Sequence, residues 1–290
     1  MRMDRRFAQI DVFSPAPGRG NPLAVVQANE SLDAAQMQAM ASWFDLAETT
    51  FLLPPTQAGA DYRLRIFTAR QEIAFAGHPS IGSAYAALAL GLLPRPAAGE
   101  LLQECLAGLL PLRCDAEDLL SVRVPRSRRV SPPEGLEAKL RAALGDRLPG
   151  ETAPALVEGG RRWWLAELRD EQQVRAMQPD DAAILALAKA SDSLGLCVFA
   201  RTPSQPTGLV VRAFPMGVGL REDPASGAAN AAIAAFLDEV GALGDLGRRF
   251  GVSQGREMGR DARLMLDIDP QGQVWVGGQC HLVVDGNVRW

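Results

Sequence analysis

The chain has 290 residues, enough for two domains of ordinary size, and its hydrophobic share of 47% and charged share of 22% are typical of a folded globular protein. A net charge of -4 offers no broad basic surface, so we expect no nucleic-acid partner. The cysteines form no C-x-x-C pair, and only two histidines accompany them, so no zinc pattern can be assembled and we predict no metal site. The four cysteines are Cys105, Cys114, Cys197 and Cys280.

The start of the chain is charged and leads directly into a strand-like run, without the apolar segment of a secretory signal. The apolar stretches further on are too short to span a bilayer. Scattered cysteines fit a reducing compartment. We therefore expect a cytoplasmic protein with no membrane partner.

The first half of the chain mixes short strands with two helices. Periodicity and turn residues predict, in order, strands over 8–14 and 22–27, a helix over 32–44 with Ser31 as its N-cap, strands over 49–53 and 62–68, a helix over 80–90 and a strand over 119–124. A stretch rich in Pro, Ser and Arg follows at 125–133 and is the best candidate for a linker. The predicted lobes are therefore 1–126 and 127–290.

The second half repeats this mixture. The predicted elements are helices over 134–144, 180–189 and 225–240, and strands over 163–168, 194–200, 209–214, 263–268, 274–276 and 281–284. Short strands dominate, and few strand–helix–strand units are regular. This pattern favours the α+β class with mainly antiparallel sheets.

One short pattern occurs in both halves. The segment Arg65-Ile66-Phe67 precedes His78-Pro79-Ser80-Ile81-Gly82-Ser83-Ala84, and Arg212-Ala213-Phe214 precedes Asp223-Pro224-Ala225-Ser226-Gly227-Ala228-Ala229. Each copy has an Arg-x-Phe strand, then a polar residue, proline, a small residue, any residue, glycine, a small residue and alanine. Duplication of one unit explains this pattern, so we predict two pseudo-symmetric lobes.

The helix that follows each copy has no charged residue, over 82–90 in the first half and 225–237 in the second. A helix that is apolar on nearly every side is buried. We therefore predict that each lobe is a curved, mainly antiparallel sheet around a buried central helix.

The start of each buried helix suggests an anion site. Pro79 and Pro224 suit a first helical turn, which would place His78 and Asp223 at the N-caps. The unsatisfied N–H groups of the first turn and the positive end of the helix dipole bind anions. If the two helix ends face a cleft between the lobes, they can hold a carboxylate or stabilise an enolate-like charge.

Several segments together resemble the PhzF family of phenazine-biosynthesis isomerases. In order they are Asp11-Val12-Phe13, Gly20-Asn21-Pro22-Leu23-Ala24-Val25-Val26, Glu48-Thr49-Thr50-Phe51, Arg65-Ile66-Phe67-Thr68, Phe75-Ala76-Gly77-His78-Pro79, Glu222-Asp223-Pro224-Ala225-Ser226-Gly227 and Gln254-Gly255-Arg256-Glu257-Met258-Gly259-Arg260. The resemblance implies the fold of diaminopimelate epimerase, an isomerase without metal or organic cofactor, and a homodimer. It also implies that the last strand, within 280–290, crosses back to complete the first lobe.

The resemblance assigns roles to three side chains. Glu48 becomes the general acid/base, although Asp45 three residues earlier also allows a capping box there. His78 becomes a residue that orients substrate and relays protons, where a structural histidine is the alternative. Asp223 joins the site, although an aspartate before proline is also a good N-cap.

The backbone N–H groups of Gly77, Gly227 and Ala228, together with Ser226, are expected to bind substrate. Family members often have Ser or Thr at position 228, whereas this chain has alanine, so the phenazine precursor is not assumed as the substrate. The predicted function is proton transfer on a small carboxylate-bearing molecule. An epimerase or racemase of amino or hydroxy acids and a non-catalytic protein that binds small anions are the alternatives.

Overall fold

Two units, each with its own strands and its own buried helix, make up the chain. The computed structural model describes residues 4–29, 31–97, 99–115, 119–202 and 207–290. The first unit comprises Met1–Arg123 with Gly277–Trp290, and the second comprises Val124–Val276. Within the described ranges, no helix is both long and apolar enough to cross a membrane.

The first unit contains nine strands and two helices among its described residues. In chain order they are β1 (Asp4–Val12), β2 (Asn21–Gln27), α1 (Ala34–Phe44), β3 (Thr49–Leu53), β4 (Tyr62–Phe67), β5 (Glu72–Ile73), α2 (Gly77–Ala89), β6 (Glu100–Cys105), β7 (Gly108–Cys114), β8 (Leu120–Arg123) and β17 (Cys280–Arg289). The strands lie in the order β17–β1–β2–β3–β4–β6–β7–β8, with the short β5 also paired to β4. Only the β2–β3 and β4–β6 pairs are parallel.

The second unit has the same succession of pairings. Its elements are β9 (Arg128–Val130), α3 (Glu137–Leu144), β10 (Ala155–Glu158), β11 (Arg162–Glu167), α4 (Glu171–Arg175), α5 (Asp181–Ser191), β12 (Leu196–Arg201), β13 (Leu209–Phe214), α6 (Gly227–Glu239), β14 (Arg249–Gln254), β15 (Ala262–Ile268) and most of β16 (Val274–Gly278). The order β9–β10–β11–β12–β13–β14–β15 again has two parallel pairs, β11–β12 and β13–β14. The internal repeat predicted from the sequence is therefore confirmed at the level of topology.

The two uncharged helices are buried, as their composition predicts. Residues 77–84 of α2 are all buried, and the helix packs on β1, β2, β3 and β8 of its own unit. Most of α6 is buried in the same way against β9, β10, β11 and β15. A sheet around an apolar central helix confirms the α+β class.

Some local predictions were wrong. The N-cap of α1 is Asp33, not Ser31, because Asp33 and Gln36 form a reciprocal capping box that a serine two positions earlier cannot make. The expected linker includes β9, which pairs with β10 and so belongs to the strands of the second unit. Strands β6, β7, β10 and β14 lack a clear alternation in the sequence and were not predicted.

Candidate active site

Glu48 directly precedes a strand that is buried along its whole length. In β3, Thr49 pairs with Ala24 on the parallel side and with Phe67 on the antiparallel side, and it is completely buried. Backbone pairing on both sides therefore fixes the point from which the Glu48 side chain extends. The predicted strand over 49–53 is confirmed, so Glu48 lies at a strand end and not in a capping box.

His78 lies beside Glu48, within the first turn of α2. The helix begins at Gly77 with Ala76 as its N-cap, so the prediction of His78 as the N-cap is wrong. Pro79 does not prevent this earlier start, because the N–H that it lacks would have no acceptor within the first turn. The side chains of His78 and Glu48 are 7% and 17% exposed, and the imidazole Nε2 lies 3.3 Å from the carboxylate Oε2.

The His78 imidazole is neutral over the physiological range. Its burial lowers the pKa from 6.5 to about 3, because the interior disfavours the charged form. A neutral imidazole has one N–H donor and one acceptor nitrogen. The pair can therefore share and pass on a proton, which a permanently charged histidine could not do in the same way.

Buried hydrogen bonds hold the first turns of α2 in register with the sheet. Gln103 Nε2 on β6 donates to Ser80 Oγ at 3.1 Å, and Ser80 Oγ donates to the carbonyl of Ala76 at 3.0 Å. One turn further on, the hydroxyls of Thr50 and Ser83 lie 2.8 Å apart, which ties β3 to the helix. The strand that positions Glu48 and the helix that carries His78 are thus connected directly.

In the second unit, Asp223 lies before α6 and not in the first turn of the helix. The N-cap of α6 is Ser226, whose Oγ accepts from the N–H of Ala229, so the prediction of Asp223 as the N-cap is wrong. Asp223 instead pairs with Ala213 of β13, and its N–H donates to that carbonyl at 3.0 Å. Its Oδ1 accepts from the N–H of Ala225 at 3.1 Å.

Both units repeat an arginine–glutamate pair ahead of the helix. Arg65 forms two 2.7 Å hydrogen bonds to Glu72, and its guanidinium lies 5.2 Å from the centre of the Phe67 ring. Arg212 bonds Glu222 at 2.8 and 2.9 Å and lies over Phe214 at 5.0 Å. The glutamate follows the arginine by 7 residues in the first unit and by 10 in the second, so the pairing is repeated although the spacing is not. Each pair ties the Arg-x-Phe strand to the segment that leads into its helix.

The remaining predicted binding residues occupy the first turns of the two helices. Gly77 begins α2, and Gly227 and Ala228 begin α6, where backbone N–H groups have no acceptor inside the helix. Ser226 and Gly227 are buried, whereas Ala228 is exposed. The second unit therefore presents a methyl group, without a hydroxyl, at the open side of its first turn.

The side chain that the sequence reasoning missed is Gln254, at the end of β14. It is completely buried and bonds to Asp223 and to the start of α6. The signal in the sequence is its place at the start of the Gln254–Arg260 motif. Within the described ranges, no three His, Cys, Asp or Glu side chains converge in a group that could hold a metal ion.

Two buried cysteines, Cys197 and Cys280, do not contribute reactive thiols. Burial and the nearby Asp223 carboxylate raise the pKa of the Cys197 thiol, and burial raises that of Cys280 to about 12. Since the thiolate is the reactive form, both thiols are inert near neutral pH.

The sequence model of the phenazine biosynthesis-like proteins matches residues 10–286. Antisense-enhancing sequence 1 of Schizosaccharomyces pombe is 33% identical over 98% of both chains. The trans-2,3-dihydro-3-hydroxyanthranilate isomerase of Pseudomonas aeruginosa is 32% identical over 92% of both chains. A Bacillus anthracis phenazine biosynthesis protein of the PhzF family has the same fold, with a TM-score of 0.83 over 99% of both chains at 22% identity.

Proposed function

This chain is an isomerase that belongs to the phenazine biosynthesis-like (PhzF) family, and from that premise we propose that Glu48 transfers a proton between two positions of a small carboxylate-bearing substrate. In the first half of the reaction a C–H bond breaks, and its proton is taken up by the Glu48 carboxylate. In the second half the protonated Glu48, whose carboxyl proton exchanges with water, delivers a proton to another carbon of the substrate. The double bond shifts between the two steps, so no electrons are gained or lost.

The observation that carries this proposal is the contact between Glu48 and His78. The Glu48 carboxylate lies at a strand end, 3.3 Å from a buried and neutral imidazole. This imidazole can orient the carboxylate, and it can accept or donate a hydrogen bond as the carboxylate gains or loses its proton. The same neutral imidazole can donate to a substrate oxygen that gains charge during the reaction. Glu48 thus serves as the acid/base, and His78 as its orienting partner.

The internal repeat supports a single acid/base. Phe67 and Phe214 are equivalent in the two copies, and they pair with Thr49 and Leu196 respectively. The residue equivalent to Glu48 in the second unit is therefore Gly195. The duplication therefore provides no second copy of Glu48, since the second unit has no side chain at this position. The inert thiols of Cys197 and Cys280 do not supply the two reactive cysteines of a thiol epimerase.

The second unit contributes anion binding in this proposal. The first-turn N–H groups of Gly227 and Ala228 and the positive end of the α6 dipole bind the substrate carboxylate. Gly77 offers an equivalent N–H group at the start of α2. Ser226 and Asp223 shape the segment that leads into α6, and Asp223 is half-buried.

The test is incorporation of deuterium from heavy water into a panel of small carboxylates. The panel begins with trans-2,3-dihydro-3-hydroxyanthranilate, which is the substrate in the name of the Pseudomonas aeruginosa relative, and continues with other unsaturated and amino carboxylates. We expect wild type to label at least one compound, and Glu48→Gln to label it at least about 100-fold more slowly, the usual contribution of a general acid/base.

Glu100→Gln makes the same chemical change at an exposed carboxylate of β6 and serves as the matched control. It should label at the wild-type rate, and thermal unfolding should show that both variants are folded. Equal rates of labelling by wild type and Glu48→Gln would refute the role of Glu48.

A further inference from the structure

Gln254 joins the end of β14 to the segment that precedes α6. Its Nε2 donates to the carbonyl of Asp223 at 2.7 Å. Its Oε1 accepts from the N–H of Ser226 at 3.2 Å and from Nδ2 of Asn230 at 2.8 Å. Only this orientation of the amide matches donors to acceptors, since the flipped amide would face a carbonyl with its oxygen. The side chain is 0% exposed, so all three contacts are shielded from water.

These contacts coincide with a difference between the two copies of the internal repeat. In the first copy the helix begins at Gly77, before Pro79, whereas in the second it begins at Gly227, after Pro224. A helix that began earlier in the second copy would direct the N–H of Gly227 to the carbonyl of Asp223. In the structure, that carbonyl accepts from Gln254, and residues 223–226 are not helical.

The residue after Gln254 holds the same segment from the other side. Gly255 has a φ of 89° and approaches Pro224 so closely that a Cβ atom would lie 2.5 Å from the Pro224 carbonyl oxygen. In a longer helix, this carbonyl would accept from the N–H of Ala228. The carbonyls of Asp223 and Pro224 would accept the additional hydrogen bonds of a longer α6. Gln254 donates to the first, and Gly255 lies against the second.

We propose that Gln254 is a positioning residue for the reaction, which keeps residues 223–226 out of the helix and so leaves the N–H groups of Gly227 and Ala228 available to the substrate carboxylate. The proposal rests on the proposed function, because it assigns the α6 N-terminus to substrate binding. It differs from a structural role in one respect: removal of the contact should weaken anion binding more than it weakens folding.

Gln254→Glu tests this role with pH as the variable. The protonated form of the introduced carboxyl can donate to the Asp223 carbonyl and accept from Ser226, as the amide does. The ionised form loses the donor and adds a negative charge beside the anion site. Burial favours the protonated form, so the introduced carboxyl should be neutral near pH 5 and ionise as the pH rises.

Other titratable groups surround this position, and wild type shares all of them. Asp223 and Cys197 of β12 both pair with Ala213 of β13, and Glu257 and Arg260 follow Gln254 in the same loop. Arg175 and Asp261 both bond the neighbouring Ser253. The ratio of KM between variant and wild type at each pH therefore isolates the introduced carboxyl.

The measurement is KM for whichever compound wild type labels in heavy water. For Gln254→Glu we expect KM close to wild type at pH 5 and about tenfold higher at pH 8, with a smaller change in kcat. Gln254→Met, which keeps the side-chain length without hydrogen bonds, should raise KM by a similar factor at both pH values.

Ser191→Ala is the matched control. It removes a buried hydrogen bond between Trp164 of β11 and Ser191 at the end of α5, which contacts none of residues 223–227 or 254, and should lower the unfolding temperature while leaving KM unchanged. An unchanged KM in both Gln254 variants would overturn the proposal. So would an increase that Ser191→Ala reproduces at equal loss of stability.

Hydrogen exchange of the Ser226 amide provides a readout that needs no substrate. Each exchange rate is divided by the intrinsic rate of the amide at the same pH. We expect this ratio to be about tenfold higher than wild type in Gln254→Met, and close to wild type in Gln254→Glu at pH 5. If wild type labels no compound, the proposed function fails, and this exchange rate still decides whether Gln254 holds the segment. Unchanged exchange in both variants would overturn the positioning role.

Discussion

The neutral state of His78 can be measured directly, because the chain has only one other histidine, His281. An ordinary imidazole with a pKa of 6.5 is about three-quarters protonated at pH 6, whereas one with a pKa of about 3 is protonated in about 0.1% of molecules. In an NMR titration between pH 5 and 8, the His78 ring signals should therefore stay at their neutral positions. A His281→Asn variant assigns the remaining signals to His78.

The same pKa predicts how stability depends on pH. Between pH 6.5 and pH 3 the unfolded chain binds a proton at His78 and the folded chain does not, so stability falls as the pH is lowered through this window. The slope approaches 1.4 kcal/mol per pH unit, which gives a loss of about 2.7 kcal/mol at pH 4.5 relative to pH 8. The loss is complete only at pH 3 and absent above about pH 7.5.

Urea unfolding of wild type and His78→Gln at several pH values isolates this contribution. Glutamine has no titrating group, so the difference in unfolding free energy between the two proteins should change by about 2.7 kcal/mol in favour of the variant between pH 8 and pH 4.5. Equal pH profiles, or a His78 ring that titrates at or above pH 6.5, would refute the reasoning. That result would mean that attraction to the Glu48 carboxylate, 3.3 Å away, outweighs burial.

Three further changes test the two units separately. Gly195→Ala should lower the free energy of chemical unfolding by about 3 kcal/mol or more. The reason is that Gly195 has a φ of 149° and the added Cβ would lie 2.0 Å from the Phe214 carbonyl oxygen. A variant as stable as wild type would show that this strand end can shift. Asp33→Ala should cost about 1 kcal/mol through loss of the capping box of α1, while Ser31→Ala should cost much less. Ala228→Ser adds a hydroxyl at an exposed position and should lower KM for trans-2,3-dihydro-3-hydroxyanthranilate about tenfold in the labelling assay; an unchanged KM would mean that position 228 does not contact this compound.

The sequence was sufficient for the class of fold and for the two buried helices, since absence of charge over 82–90 and 225–237 leaves burial as the only stable environment. It was also sufficient for β3, whose five apolar or β-branched residues are all buried. These features depend on local composition. The confirmed membership of the family came from ordered motifs, each of which is weak alone.

The starts of α2 and α6 could not be predicted, because tertiary contacts set them. The two copies of the repeat both contain a polar residue before proline, which suggested identical N-caps at His78 and Asp223. The structure has Ala76 and Ser226 as the N-caps instead. The difference comes from Gln254, which lies 31 residues after Asp223 in the sequence and contacts its carbonyl.

The contact between Glu48 and His78 is equally non-local. Thirty residues separate the two in the sequence, and β3, β4 and β5 lie between Glu48 and α2. The pairing of β3 with β4 and the packing of α2 on the sheet bring the two side chains together. The resemblance to the family had named both residues. It did not specify that the imidazole would be buried and neutral.

Comparison of the two units, position by position, explains how a duplicated fold can serve one reaction. The equivalent of Glu48 in the second unit is Gly195. The hydrogen-bonded hydroxyls of Thr50 and Ser83 have Cys197 and Ala228 as their equivalents. The second unit therefore lacks the acid/base and the hydroxyl pair, and Gln254 holds the segment before its helix. In the proposed reaction, the first unit moves the proton and the second binds the anion. Introducing a carboxylate at position 195 would not restore symmetry, because the Phe214 carbonyl occupies the space of its Cβ.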